Sequence, residues 1–183
     1  MTHSDVDASP VPATSQPGAL GAGRLTLDPP PAYPGAMVNV TNRCNLRCQH
    51  CFVFRDGNPN QLEGEMQPER VLSELKRLRD RHGIRSMLWM GGEPMLRWRM
   101  LEEGLALFPR NTITTNGTIP LKDFGPGLIY VISLDGPREV NDPVRGEGVF
   151  DRVMKTVAAI PGGFRPTVMV QCVVHRENQT HLD

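Results

Sequence analysis

The chain has 183 residues, enough for one domain with a substantial core. Lys plus Arg and Asp plus Glu both number 20, so no net charge directs it to nucleic acid or to a membrane surface. No apolar run approaches the roughly 20 residues of a membrane-spanning helix. The N-terminus lacks a basic stretch followed by an apolar one, so a cytoplasmic protein is expected.

Residues 1–36 hold 7 of the 17 prolines and are expected to form a disordered or loosely attached arm, with the core domain over residues 37–183. Met37–Val40 is a short apolar strand running straight into a cysteine-rich loop. Pro68 reads as a first-turn proline, Val71, Leu72, Leu75 and Leu78 follow at helical spacing, and Gly83 stops the helix. Ser86–Met90 is the next strand, ended by Gly91-Gly92. A helix over Met95–Phe108 follows, then a β-branched strand Thr112–Thr115 that ends at Asn116-Gly117. Leu128–Leu134 is a strand, Phe150–Ile160 a helix and Val168–Val174 a last strand. Alternating strands and helices predict an α/β fold with a parallel sheet, whose ligands gather at the loops after the strands' carboxyl ends. Five strands fall short of a full barrel. The expected fold is therefore a partial TIM-type (β/α) barrel that stops after about five strands.

The loop after the first strand carries Cys44, Cys48 and Cys51, at spacings of four and three. Clustered thiols of this kind suit a metal better than a disulfide framework. Three thiolates leave one coordination position open, whether the metal is zinc or an iron–sulfur cluster. A closed zinc site would have to recruit His50 or Cys172 as a fourth ligand.

The pattern Cys-x-x-x-Cys-x-x-Cys after a strand resembles the radical S-adenosylmethionine (radical SAM) superfamily. That resemblance implies a [4Fe–4S] cluster on Cys44, Cys48 and Cys51, with SAM chelating the fourth iron. It also sets His50 and the backbone at Phe52 beside the adenine. Gly91-Gly92-Glu93-Pro94 resembles the family's GGEP motif; glycines free the backbone to approach a ligand, and Glu93 is the expected counter-charge of the SAM amino group. Thr115-Asn116-Gly117 is similar to a TNG element at the same rim, a plain turn being the competing reading. Ser133-Leu134-Asp135-Gly136-Pro137, followed by Asn141-Asp142 and Arg145-Gly146, looks like the peptide-modifying, sulfatase-maturase-like branch. Residues two apart on a strand face one side, so Ser133 and Asp135 suit a ribose diol. The resemblance gives Ser133 and Arg145 to SAM, the arginine at its carboxylate. Gln171 is placed near the adenine, and Cys172 is read as a small buried hydrophobe.

The implied activity is reductive cleavage of SAM to a 5′-deoxyadenosyl radical that abstracts hydrogen from a peptide or protein side chain. A ferredoxin- or flavodoxin-type reductant would supply the electron. No acid or base for the substrate is visible. A radical SAM enzyme of cofactor or small-metabolite biosynthesis is the second reading, and a non-catalytic iron–sulfur or zinc-binding module the third. The sixth strand and the cysteine-rich SPASM or twitch extension common in that branch are missing, so a truncated core is expected.

Overall fold

A computed structural model describes residues 29–53 and 64–181. Most of the expected N-terminal arm lies outside the described residues. Five strands, β1 (Gly35–Asn39), β2 (Ser86–Met90), β3 (Arg110–Thr115), β4 (Leu128–Ser133) and β5 (Thr167–Gln171), form one all-parallel sheet in the order β1-β2-β3-β4-β5. Sequential strand order with helical crossovers is the layout of a partial (β/α) barrel.

Among the described residues, four helices accompany the sheet: α1 (Pro68–His82), α2 (Trp98–Leu105), α3 (Arg138–Arg145) and α4 (Val149–Ala158). α1 begins at its proline and ends at Gly83, whose φ of 65° forms a left-handed cap donating to the Arg79 carbonyl. Met95–Phe108 divides into a 3-10 turn at Pro94–Arg97 and then α2, because Pro94 and the Glu93 side chain fix the entry. β1 starts two residues earlier than expected and β5 ends at Gln171. α3 has no counterpart among the expected elements, since Pro143 inside it argues against a helix.

The core lies between the sheet and α1 and α2. Trp89 is fully buried on β2 and donates from Nε1 to Asn111 Oδ1 at 2.9 Å. Asn111 in turn donates to the Leu105 and Phe108 carbonyls, closing the end of α2. A Cβ on Gly104 would stand 2.5 Å from the Trp89 ring, so the glycine lets α2 lie on the indole. A second cluster of Leu46, Ile132, Val149 and Val153 packs α4 beneath the cysteine loop. The strand registers put Asn39, Met90, Thr114, Val131, Met169, Ser133 and Gln171 on the opposite face.

Candidate functional site

The cysteine loop is held by backbone before any side chain acts. Val40 N donates to the Met90 carbonyl, Gly92 N to Thr41 and Glu93 N to Arg43, at 2.7–2.8 Å, extending the β1–β2 pairing past the strands' ends. A Cβ on Gly92 would come within 2.2 Å of the Arg43 carbonyl oxygen. No other residue fits that crossing. The loop's far side rests on α3. Its last carbonyls, unpaired within the helix, accept from Gln49: Val144 from the backbone N–H at 2.8 Å and Pro143 from the side-chain amide at 2.7 Å.

The loop, the glycine turn and the ends of β3, β4 and β5 enclose one cavity. Cys44, Cys48 and Cys51 line it, as do His50 and Phe52 on the same loop. Gly91 and Gly92 reach it from β2, Thr115 and Asn116 from β3, and Ser133, Arg145 and Gln171 from the remaining elements. Twelve of the fifteen residues singled out in the sequence therefore meet at one place. Leu46, Val53, Met90, Thr114 and Val173 also line it; strand register marks Met90 and Thr114, and no motif marks the others.

Glu93, Pro94 and Asp135 do not line the cavity. Glu93 is fully buried with its carboxylate turned into the protein. Its Oε1 accepts from Met95 N at 3.0 Å and Thr115 Oγ1 at 2.8 Å, and Oε2 from Asn116 N at 2.8 Å. Burial pushes its carboxyl above the usual range, against the pull of these three donors. Glu93 thus ties the glycine turn to the end of β3, and the cavity face of the motif is backbone. The Gly91 and Gly92 carbonyls accept nothing from the described residues.

Asp135 lies past the end of β4, where strand alternation no longer sets direction. It is fully buried, 2.7 Å from Arg145 Nε and 3.6 Å from His50 Nε2, and accepts from Val173 N at 3.0 Å. The arginine contact is an ion pair whose N–H is turned off the oxygen. Asn141 Oδ1 accepts from Asp135 N, and fully buried Asn178 donates to the Asp135 carbonyl. Asn178 also donates to Cys172 Sγ at 3.3 Å and to the Val173 carbonyl. It locks the chain after β5, a role no local motif announces. Cys172 is half-buried rather than fully buried.

The electrostatics are uneven. Burial raises the Cys44 and Cys48 thiols; the Arg145 charge opposes this at Cys48, and amide donors oppose it at Cys44. Burial and Arg145 hold His50 below the ordinary imidazole value. Among the described residues, no three His, Cys, Asp or Glu side chains stand close enough to enclose a single metal ion. His50 is turned to Asp135 and Cys172 to Asn178, so neither completes a zinc tetrahedron with the three thiols. Three thiols on one cavity, with Gly91 and Gly92 beside them, fit a cluster with one uncommitted iron.

The profile of the Radical SAM superfamily matches residues 38–183. The chain is 35% identical over 134 residues to Fe-coproporphyrin III synthase of Methanosarcina barkeri, covering 67% of this chain and 32% of that protein. It is 29% identical over 154 residues to mycofactocin maturase MftC of Mycolicibacterium smegmatis, covering 79% and 38%. A probable GTP 3',8-cyclase of Methanocella arvoryzae is 30% identical over 157 residues, covering 80% and 50%. The chain thus spans between a third and a half of these curated relatives. Among solved structures, native anSMEcpe with bound AdoMet superposes with a TM-score of 0.61 at 23% identity, covering 76% of this chain and 44% of that one.

Proposed function

This chain belongs to the radical SAM superfamily, and from that membership we propose that it forms the SAM-cleaving core of an enzyme acting on a peptide or protein side chain. The observation that carries the proposal is the convergence of three thiols, Gly91 and Gly92, Ser133 and Arg145 on one cavity. When bound, the cluster supplies the electron that breaks SAM into methionine and a hydrogen-abstracting 5′-deoxyadenosyl radical.

The chain's own part is binding and exclusion. Cys44, Cys48 and Cys51 would hold the cluster, leaving one iron for SAM. The Gly91 and Gly92 carbonyls offer acceptors to an ammonium. Arg145, steadied by Asp135, offers charge to a carboxylate. Ser133 and Gln171, paired across β4 and β5, suit the nucleoside, and His50 and Phe52 line the same cavity. We assign the electron to a ferredoxin- or flavodoxin-type donor and the protein to the cytoplasm, where reduced thiols persist. No helix among the described residues is long and apolar enough to cross a membrane.

The peptide assignment is supported by the likeness to the mycofactocin maturase, and a second reading by the 35% identity to the coproporphyrin synthase: a tetrapyrrole or other cofactor precursor as substrate. Anaerobic reconstitution should load about four irons per chain, and reduction with SAM present should yield 5′-deoxyadenosine. Cys48→Ala should abolish both. Unchanged SAM cleavage in that variant would overturn the proposal. Stimulation of turnover by porphyrins and by no peptide would select the second reading.

A further inference from the structure

Asn116 is 8% exposed, and its amide has one available orientation. Oδ1 accepts from Thr118 N at 3.0 Å and Thr118 Oγ1 at 2.7 Å. A backbone N–H can only donate, so the carbonyl end is fixed there. Nδ2 must point the other way. It donates to Asn45 Oδ1 at 2.9 Å and approaches Cys44 Sγ at 3.7 Å, a normal separation for a large sulfur acceptor. The Asn116 backbone is itself anchored, through its N–H, on the buried Glu93 carboxylate. Leu46 N adds a second donor to Cys44 Sγ at 3.4 Å. Cys44 thus receives two amide donors, while Cys48 has the Arg145 charge beside it.

We infer that Asn116 is a positioning residue whose side-chain N–H donates to the Cys44 thiolate and makes the cluster easier to reduce. The inference rests on the radical SAM reading of the three thiols. A donor aimed at a cluster sulfur stabilises whichever redox state carries more negative charge, and that is the reduced state. Hydrogen bonds to ligand sulfurs are among the levers that set iron–sulfur potentials, and loss of such outer partners costs roughly 10–100-fold in metal affinity or activity. The turn uses the amide oxygen of Asn116 and does not need its N–H. Gly117, at φ 71°, supplies the left-handed residue, and a Cβ there would meet Ile132 Cγ2 at 2.6 Å.

The test is a dithionite titration of the reconstituted chain, with reduced cluster quantified by electron paramagnetic resonance. Asn116→Leu keeps the volume and removes the donor. At fixed poise the ratio of reduced to oxidised cluster should fall about tenfold, a shift near 59 mV for one electron. Asn116→Asp, which keeps the shape and replaces the donor by an acceptor, should fall at least as far and serves if the leucine variant does not fold. Thr118→Val keeps the backbone N–H that fixes Oδ1 but removes the hydroxyl that also accepts from Asn45 Nδ2 at 2.8 Å, so its potential should shift less than in either Asn116 variant. Unchanged potentials in both Asn116 variants, or equal shifts in Thr118→Val, would overturn the inference while the radical SAM reading stands. A wild-type chain that binds no cluster would remove both.

Discussion

Glu93 illustrates how a charged side chain can serve a ligand site without facing it. Its two oxygens take three donors from Met95, Thr115 and Asn116, each presented by the protein rather than by solvent. Glu93→Gln puts an amide N–H where an acceptor is needed. We expect a loss of about 1–3 kcal/mol in urea unfolding, the penalty for a buried donor left unmatched. The sequence identifies this residue as part of the motif but assigns its charge to the SAM ammonium. Spacing gives a residue's address and not the neighbours that occupy its lone pairs. Asp135 shows the same limit: the two-residue offset from Ser133 holds only while the chain stays a strand, and β4 ends at Ser133. Cys44, Cys48, Cys51 and the glycine pair are legible because their constraint is local, a thiol count and a backbone without Cβ. At Gly92 that constraint is steric, so Gly92→Ala should lose cluster incorporation, read as the iron content of purified protein.

At the scale of elements, the strands are legible to within a few residues because their ends carry glycine or proline, while α3 is not. Pro143 argues locally against a helix because it has no N–H for the Glu139 carbonyl, yet the eight-residue segment forms and its last carbonyls serve the cysteine loop. α4 starts at Gly148, which has no side chain to cap it. Asp142 does so from six residues away, accepting from Gly148 N at 2.9 Å and Phe150 N at 2.8 Å. Asp142→Ala should lower stability by about 1 kcal/mol, the usual worth of an N-cap, measured as a fall in the urea midpoint at unchanged slope. The segments before β4 and β5 are tied by Asp123 and Arg165, whose hydrogen bond is the main cause holding the Asp123 carboxyl below its ordinary 3.8. A depressed carboxyl contributes stability above its unfolded value and loses it as the pH falls through the folded one. Thermal scans should therefore show a small acid-side decline below about pH 4 that is absent in Asp123→Asn.

On the scale of the whole molecule, the described helices cover one face of the sheet and, among the described residues, leave the other open. Met37 at 65% exposed and Met169 at 51% belong to the open face, and Val170 on β5 is 61% exposed. β5 is an edge strand among the described residues, and an exposed apolar edge favours pairing with another chain. Val170→Lys should reduce self-association of this chain, seen as a lower apparent mass by light scattering at high concentration. The cysteine loop stands apart from this exposure. It hangs from β2 by three backbone bonds and leans on the end of α3, none of which involves a metal. In many small metal-binding domains, ligation free energy is consumed in folding the site. Here the scaffold is organised in advance, so loss of iron in air should leave a folded apoprotein that can be recharged rather than a denatured one.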